Sequence, residues 1–388
     1  MESNIWKMYV ISFFGSFFYL SGILIPFFTD WGGITFSQTL TLQSWFMICC
    51  FVFEFPSGGF ADKFGKKLSL SIAFILESIG FLVYASTPNF WIFALGETIL
   101  AIGCSLISGT QSSFIACSLK HNNKSHLQKK ILGKNKSISM MGMLISAPIG
   151  SIIAHYIGMR EAVLYTAISP AIAFAISLTL IEPKNGTTKE SYGKILKEGF
   201  FCFKKSKALR MLAFDKIIVH ILCFFLIWIY QPFLKQEGIS LAYFGTIHAF
   251  ICLAQIAVLS NFSKLEKICK SSKRYLFLSS LIPGMFLFLV GLSFGNIFLK
   301  ILAILVISGL GLSRETLSGN YMLEHIEESY QTTALSFAEM FRKIITAILY
   351  PLVGLLMDWS INYTFIILGI ALIIFSFIPK LKDEYFKN

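Results

Sequence analysis

The chain has 388 residues, of which 55% are hydrophobic and only 14% are charged, and its formal net charge is +12. A water-soluble fold of this length cannot bury so much apolar surface, so the composition excludes a soluble globular protein. Phe alone accounts for 40 residues, which further indicates a protein that is solvated by lipid.

Long apolar runs recur from the start of the chain, and the first of them, 8–28, contains no charged residue. Runs of about twenty apolar residues suit a helix that crosses a hydrocarbon core of roughly 30 Å at about 1.5 Å per residue. The first run lacks a small-residue cleavage site, so we expect a retained helix rather than a signal peptide. In chain order, twelve transmembrane helices are predicted at 6–28, 38–60, 68–87, 90–118, 136–158, 161–181, 211–234, 241–262, 275–294, 297–321, 334–357 and 361–379.

The basic residues are distributed unevenly between the connections, which predicts the orientation of the chain. Lys and Arg are concentrated after helices 2, 4, 6 and 8, whereas the connections after the odd-numbered helices carry only Arg160, Lys235 and Lys300. The side rich in Lys and Arg is normally cytoplasmic, so both termini are predicted to lie inside. The positive charge therefore indicates a surface that faces anionic lipid headgroups, and no nucleic-acid partner is expected.

The longest polar break lies in the middle of the chain and divides it into two halves. We predict an N-terminal six-helix bundle at 1–181, a cytoplasmic linker at 182–210 and a C-terminal six-helix bundle at 211–388. Within the linker, the stretch 192–203 suits either a solvated segment or a short amphipathic helix on the inner leaflet.

A stretch rich in glycine and lysine separates predicted helices 2 and 3, and it reads Gly58-Gly59-Phe60-Ala61-Asp62-Lys63-Phe64-Gly65-Lys66-Lys67. We interpret it as one short charged hinge between the two helices. Gly58 allows a close approach of helices, and Gly65 allows a positive φ in a tight turn. Asp62 can accept hydrogen bonds from the exposed amides at the N-terminus of a neighbouring helix.

The spacing Gly-x-x-x-Asp-Lys-x-Gly-Lys-Lys resembles the cytoplasmic loop between the second and third helices of the major facilitator superfamily. The helix count, the six-plus-six division and the inside termini extend this resemblance over the whole chain. The segments 54–58, 228–232 and 350–354 are similar to those of a bacterial twelve-helix subgroup with many exporters. The resemblance implies an all-α membrane protein with two pseudo-symmetric six-helix bundles, which lies in the bacterial inner membrane and functions as a monomer.

The chain also departs from the family pattern, and the departures concern the coupling of transport to protons. All three basic positions of the loop are Lys, which lacks the planar fork with which Arg clamps a carboxylate. The equivalent segment of the second half, 260–274, lacks the Gly and the Asp, and helix 4 contains no Arg. The segment 147–151 matches the Gly/Pro signature of the family's antiporters only in part. Proton antiport is therefore a hypothesis that these motifs do not decide.

The family arrangement places the loop opposite the start of helix 11, near 333–336. The connection before that helix is acidic and contains Glu324, Glu327 and Glu328. We predict a charge-paired cytoplasmic gate, in which the loop lysines contact these acids when the inner side closes. The lysines concerned are Lys63, Lys66 and Lys67. In the alternative interpretation, they serve only as topology anchors.

Several charged residues fall inside predicted spans, where each costs roughly 2.5–3.5 kcal/mol on insertion scales. The candidates for the substrate cavity or for proton coupling are Glu54, Glu77, Glu97, Asp215, His220 and Arg314. The resemblance implies a cavity lined by helices 1, 4, 7 and 10, which favours the last four of these residues. We expect Glu97 or Glu77 to bind and release protons.

Structural roles are the alternative for some of these charges. Glu77 then makes a hydrogen bond between helices, and Glu54 has a structural role beside Pro56. Arg342 and Lys343 are expected to extend to the membrane surface and are left out of the candidate site.

Aromatic residues of helices 1 and 7 are candidates for the cavity walls. Tyr9, Phe13 and Phe17 are spaced four residues apart and share one helical face. The candidates at the end of helix 7 are Trp228, Tyr230 and Gln231. Such walls suit an amphipathic or partly aromatic solute, whereas in the alternative these rings simply face lipid.

The sequence has few motifs that favour catalysis or metal binding. It has no His-Glu-x-x-His motif, and a phosphate loop would need Gly where Phe60 stands. The eight cysteines have no metal-ligand spacing, and we expect no disulfide, metal site or cofactor.

We therefore predict a secondary transporter, not an enzyme, whose partners are a small-molecule substrate, protons and the lipid bilayer. Proton-coupled export of a small organic solute by alternating access is the leading prediction. Proton-coupled uptake of a metabolite or a metal chelate is the alternative, and a polytopic membrane enzyme or receptor is a remote one.

Overall fold

The structure is a computed structural model that describes residues 3–183, 200–326, 331–378, 381–382 and 385–386. All regular structure in these ranges is helical. The helices are α1 (Ser3–Phe14), α2 (Leu24–Trp31), α3 (Phe36–Phe64), α4 (Lys66–Tyr84), α5 (Phe90–His121), α6 (Ser125–Tyr156), α7 (Met159–Ser177), α8 (Lys207–Gln236), α9 (Leu241–Ser260), α10 (Phe262–Cys269), α11 (Ser272–Gly291), α12 (Ile297–Leu323), α13 (Gln331–Trp359) and α14 (Ile361–Phe377).

Among the residues that the structure describes, ten helices are long and apolar enough to cross a membrane. The number becomes eleven when the bent pair Ser3–Gly22 and Leu24–Trp31 counts as one span. α14 is apolar but has only 17 residues, which corresponds to about 25 Å. The all-α membrane architecture predicted from the sequence is confirmed, and the count of twelve spans stays a prediction.

The first span is broken, although the sequence predicts one continuous helix at 6–28. α1 ends at Phe14, and a 3₁₀ turn follows at Tyr19–Gly22. The chain axis then bends by 65° before it continues in α2. The prediction of a continuous helix is therefore wrong at this position.

The break is stabilised by α6, whose small residues lie directly against the backbone of the first span. A Cβ added to Gly150 would lie only 1.9 Å from the carbonyl oxygen of Tyr19. Ser146 Oγ donates to the carbonyl of Phe18 at 3.1 Å. The same carbonyl also accepts hydrogen bonds from the amide and the hydroxyl of Ser21. The backbone is thus satisfied at the break, which matters because the bilayer core supplies no water.

Packing divides the chain into two compact units. Unit 1 comprises Met1–Lys189 and Ile239–Ala249, and unit 2 comprises Glu190–Gly238 and Phe250–Asn388. The first turns of α9 therefore pack with unit 1, and the predicted boundaries at 181 and 211 stay a prediction.

The contact between α6 and the start of α9 explains why these turns belong to unit 1. The amide of Gly245 donates to Ser151 Oγ at 2.6 Å. A Cβ added to Gly245 would lie 1.8 Å from the carbonyl oxygen of Ala147. The two helices approach so closely that only a hydrogen atom fits between them at this residue.

Polar caps determine where two of the spans begin. The side chain of Asn89 accepts a hydrogen bond from the amide of Trp91 at 2.9 Å, at the start of α5. Asn296 caps α12 in the same way, through the amide of Leu299 at 3.0 Å. Both residues end segments, Thr-Pro-Asn at 87–89 and Phe-Gly-Asn at 294–296, whose composition favours a turn before a helix.

An aromatic cluster forms one core of unit 1, between α2, α4 and α5. Phe27, Phe28 and Phe93 are fully buried, and Tyr84 packs against all three. Trp31 stacks on Phe27 with a centroid distance of 4.9 Å. These rings fix α5 against α4, and α5 carries Glu97 one turn after Phe93.

The core of unit 2 joins the four helices that carry its charged residues. Leu209 and Leu212 of α8 pack with Tyr275 of α11, Met322 of α12 and Ala338 of α13. This cluster fixes the ends of the four helices, so charged side chains one or two turns away are held at defined positions.

Candidate functional sites in the two units

The charged stretch 58–67 belongs to two helices. Residues 58–64 form the last turns of α3, and α4 begins at Lys66, so only Gly65 separates them. Gly65 has φ +100°, the positive value that the sequence predicts for this glycine. The interpretation as one short hinge is therefore wrong, because in a membrane the backbone of Gly58 and Gly59 is best satisfied inside the helix.

The N-terminus of α4 is capped by a residue that the sequence analysis missed. The amides of Lys66 and Lys67 donate to the two carboxylate oxygens of Glu182 at 2.9 and 2.7 Å. The carboxylate also complements the positive end of the helix dipole. The only signal in the sequence was an acid directly after the sixth predicted span, on the same side as the motif.

The remaining motif residues differ in exposure. Asp62 and Lys63 are exposed near the end of α3, whereas Lys66 is buried. Lys63 Nζ lies 5.1 Å from the centroid of the Phe64 ring. A Cβ added to Gly58 would meet nothing within 4 Å among the described atoms, so this glycine is not at a close helix contact there.

The predicted charge-paired gate stays a prediction. Glu324 ends α12 next to Leu323, but Glu327 and Glu328 lie outside the described residues.

Glu97 lies in α5 and is 2% exposed. Gln43 of α3 donates through Nε2 to Glu97 Oε1 at 2.5 Å, and Tyr84 of α4 also hydrogen-bonds this carboxyl group. Three helices thus meet at one acid, and all its described partners are neutral. Glu97 is one of the candidates predicted from the sequence, whereas neither partner was predicted, because both lie on other helices.

The other two candidate acids of unit 1, Glu77 and Glu54, lie in different surroundings. Glu77 in α4 is buried, and its Oε2 has no hydrogen-bond partner among the described atoms. The expected hydrogen bond between helices is therefore absent at this oxygen. Glu54 is only half-buried, and its Oε1 accepts a hydrogen bond from Ser108 Oγ at 3.2 Å.

In unit 2, Arg314 forms a buried ion pair with Asp215. Arg314 is 1% exposed, and its guanidinium also donates to the carbonyl of Leu276 and to Ser279 Oγ. The pair joins α8, α11 and α12. An open crevice of about 480 Å³ reaches Asp215 from the end of α11, where it is lined by Lys273 and other polar residues.

A second charged group lies one residue further along α8. Lys216 Nζ contacts Glu339 Oε1 at 2.7 Å, and Arg342 Nε contacts Glu339 Oε2 at 2.7 Å. The side chain of Arg342 is only 14% exposed. The expectation that Arg342 extends to the membrane surface is therefore wrong, because Glu339 holds it inside unit 2.

His220 lies one turn beyond Lys216 and completes the charged face of α8. It is buried, and its Nδ1 lies 3.7 Å from Glu315 Oε2 without forming a hydrogen bond. The structure thus brings together the predicted residues Asp215, His220 and Arg314 in one unit. Every acid in this network has Arg, Lys or His beside it, in contrast to Glu97.

The predicted aromatic walls are only partly present. Phe17 lies beyond the end of α1, so the expected helical face from Tyr9 through Phe13 to Phe17 is interrupted. Phe13 and Phe17 still contact each other at a centroid distance of 5.3 Å. The Lys134 ammonium lies 5.1 Å from the centroid of the Tyr9 ring.

At the end of the seventh predicted span, the aromatic residues are buried in protein. Trp228 packs against Tyr350 at a centroid distance of 5.6 Å, and Tyr230 is fully buried. Gln231 Nε2 donates to the hydroxyl of Tyr230 at 3.0 Å. The alternative in which these rings face lipid is therefore wrong for Trp228 and Tyr230.

A polar face in unit 1 was missed by the sequence analysis. Ser12 Oγ donates to Asn135 Oδ1 at 2.8 Å and accepts a hydrogen bond from Gln111. One turn further, the hydroxyls of Ser16 and Ser139 lie 2.5 Å apart. The signal was present as polar residues spaced four apart on α6 and on the first span.

This polar face borders an open space of about 380 Å³ between α5 and α6. Its polar lining residues are Ser108, Gln111, Ser112, Asn135, Lys136 and Ser139. Hydroxyl and amide groups of this kind donate and accept hydrogen bonds without a fixed charge. The arrangement suits recognition of a solute with polar groups.

The fold is that of a helical membrane protein with polar residues clustered inside each unit. The model of the family described as Major Facilitator Superfamily matches residues 5–313. The match covers most of the chain, and the protein belongs to the Major Facilitator Superfamily. This membership makes it a transporter and not a polytopic membrane enzyme or receptor.

Two bacterial proteins are similar to this chain in sequence. The uncharacterized MFS-type transporter YxaM of Bacillus subtilis (strain 168) is 24% identical over 362 residues, which cover 87% of this chain and 86% of YxaM. The quinolone resistance protein NorA of Staphylococcus aureus (strain Mu50 / ATCC 700699) is 26% identical over 188 residues. The NorA match spans only 47% of each chain.

Two solved structures share the fold over nearly the whole chain. The nucleoside transporter NupG superposes with a TM-score of 0.77 at 13% identity, over 96% of this chain and 97% of NupG. A D-xylose-proton symporter superposes with a TM-score of 0.76 at 14% identity, over 99% of this chain and 98% of the symporter. At these identities the likeness concerns the fold alone.

Proposed function

We propose that this transporter exports small organic solutes and is driven by the proton gradient. The observation that carries the proposal is the environment of Glu97, a buried acid whose described partners, Gln43 and Tyr84, are neutral. The similarity of half the chain to NorA, which is named for quinolone resistance, supports the direction and the substrate class.

Glu97 is suited to carry a proton because its protonation breaks no ion pair. A charge inside a bilayer is costly when it has no partner of opposite sign, and a bound proton removes that cost. Asp215 and Glu339 are different, since each is held by Arg or Lys at hydrogen-bond distance. Protonation of either acid would leave a buried cation unpaired.

The polar face of unit 1 is the proposed contact surface for the solute. It combines the hydroxyl and amide groups around Asn135 with the nearby rings of Tyr9 and Phe13. An amphipathic solute would bind such a surface through hydrogen bonds at one end and apolar contact at the other.

Proton-coupled uptake is the second candidate. It is favoured by the hydroxyl-rich lining next to Ser139, which suits a hydrophilic solute as well as an amphipathic one. The two similar solved structures are named for a nucleoside and for D-xylose. At this level of identity they share only the fold with this chain, so they do not decide the direction of transport.

The protein is a multi-pass membrane protein, and its bacterial relatives place it in the inner membrane. We further propose that both termini are cytoplasmic and that one chain is sufficient for transport. The orientation is supported by the concentration of Lys and Arg on one side.

The proposal is tested with inside-out membrane vesicles and an imposed pH gradient. We expect gradient-dependent accumulation of a quinolone or of ethidium by the wild type, and loss of this accumulation in Glu97→Gln, because an amide cannot bind a proton. Glu161→Gln is the matched control, since Glu161 is a partly exposed acid on the surface.

The result decides between the two candidates. Accumulation of a solute only in right-side-out vesicles would favour uptake and contradict export. If Glu97→Gln transports as fast as the wild type under the same gradient, Glu97 is not the coupling group. The absence of gradient-dependent flux for every compound class tested would contradict proton coupling itself.

A further inference from the structure

A groove opens in unit 2 where α8 and α13 begin, and its volume is about 540 Å³. We call it the phenylalanine groove, because its walls include Phe200, Phe203, Phe214, Phe337 and Phe341. Successive rings are in contact: the centroids of Phe203 and Phe337 lie 5.4 Å apart, and those of Phe337 and Phe341 lie 5.2 Å apart.

The groove lies at the depth where spans enter the bilayer. α8 begins at Lys207, and the apolar part of α13 that is suited to cross a membrane begins at Phe337. Phe214 and Phe341 remain about half exposed. The phenylalanine groove is therefore an apolar concavity at the boundary between lipid headgroups and acyl chains, where amphipathic elements bind.

The rim of the groove is basic. Lys204 and Arg210 line it, and Lys205 and Lys207 lie beside it in the sequence. No acidic residue occurs between 199 and 214. This charge pattern is complementary to an anionic group placed above an apolar wall.

The rim is also held in a defined position. The Arg210 guanidinium donates to the carbonyls of Phe203 and Lys204 at 2.8 and 2.6 Å. Ser206 caps α8 through the amide of Leu209 at 3.1 Å. These contacts fix the end of the helical residues 200–205 against the first turn of α8.

We propose that the phenylalanine groove binds an anionic phospholipid. The acyl chain lies against the phenylalanine rings, and the phosphate is held by Lys204 and Arg210. Anionic lipids are enriched in the cytoplasmic leaflet, and a juxtamembrane basic residue attracts them. The proposal rests on the predicted cytoplasmic location of this side and is independent of the transported solute.

The experiment uses the full-length protein in nanodiscs of phosphatidylcholine that contain a small fraction of phosphatidylglycerol with a photoactivatable acyl chain. After irradiation, labelled peptides are mapped by mass spectrometry. We expect labels on the segment 337–345 and on the segment 213–217, which line the groove. Unlabelled phosphatidylglycerol should compete for this site better than unlabelled phosphatidylcholine.

Two lysines in adjacent positions provide matched variants. Lys204→Gln should weaken the competition by phosphatidylglycerol about fivefold, as expected for one lysine next to a lipid phosphate. Lys205→Gln removes the same charge one position further, outside the groove lining, and should change nothing. Lys204→Arg should restore the wild-type preference, which separates loss of charge from local misfolding.

Three outcomes would overturn the proposal. Equal competition by phosphatidylcholine would mean that the rim charges do not select the headgroup. Equal effects of Lys204→Gln and Lys205→Gln would indicate general surface attraction. Absence of label from the groove segments would mean that no lipid occupies the groove.

Discussion

Arg314 illustrates how a single residue can determine the packing of a membrane-embedded unit. Its guanidinium joins Asp215 of α8 to the backbone of Leu276 and to Ser279 of α11. Both members of the ion pair are almost completely buried. Each charge therefore depends on the other for stabilisation, because only a small part of either side chain is exposed.

We expect Arg314→Met to lower the free energy of unfolding by about 3–5 kcal/mol, since Asp215 would remain buried without a cation. The double variant Arg314→Met/Asp215→Asn removes both charges and should recover much of this loss. The measurement is thermal or denaturant unfolding of the purified proteins in one detergent, followed by tryptophan fluorescence. If the double variant is no more stable than Arg314→Met, the unpaired charge is not the cause of the loss.

At the scale of elements, α6 determines the path of the first span. Its small residues allow the backbone of residues 13–19 to lie directly against it, and Ser146 donates to the carbonyl of Phe18 at the break. The sequence predicted both helices, because each is a long apolar run. It did not predict the break, because the break depends on contact with a helix more than one hundred residues away.

Two glycines of α6 allow this contact to be tested. We expect Gly150→Ala to destabilise the protein by about 1–3 kcal/mol, because the new Cβ has no room beside the carbonyl of Tyr19. Gly133→Ala is the matched control, since its Cβ would meet nothing within 4 Å. It should be neutral or slightly stabilising, as Ala favours the helix over Gly.

The melting temperatures of the two variants, measured in the same detergent, provide the comparison. A clear decrease for Gly150→Ala with no decrease for Gly133→Ala is expected. Equal decreases would indicate that loss of any glycine from α6 is responsible, and would contradict the role of the close contact.

At the scale of the whole molecule, the distribution of charge predicts how the chain is oriented. Lys and Arg outside the bilayer core are found mainly on one side, and the motif 58–67 lies on that side. The family match fixes the class of protein, whereas the orientation is a prediction from the distribution of charge.

This orientation is tested with reporter fusions. Green fluorescent protein at the C-terminus should fluoresce, because it folds in the cytoplasm, and alkaline phosphatase inserted at 237–240 should be active, because it requires the outer side. Alkaline phosphatase at the C-terminus should be inactive, and green fluorescent protein inserted at 237–240 should not fluoresce. Fluorescence and phosphatase activity in the reverse pattern would contradict the predicted topology.

Some residues of the candidate sites could be predicted from the sequence, and others could not. Glu97, Asp215 and Arg314 were predictable, because a charged residue inside an apolar run is conspicuous in any membrane protein. The partners of Glu97 were not predictable, because Gln43 and Tyr84 lie on other helices. Arg342 was assigned wrongly although its partner Glu339 lies only three residues away, because the sequence does not show that the pair is buried.

The sequence by itself determined the membrane class, the helical architecture and the family, since these depend on the length of apolar runs and on one local motif. The tertiary structure decided the break in the first span, the cap that Glu182 provides for α4 and the difference between neutral and ion-paired acids. These features depend on which helix lies beside which. A helix in lipid satisfies its backbone alone, so local sequence is enough to form it, but each buried polar side chain needs a partner from another helix.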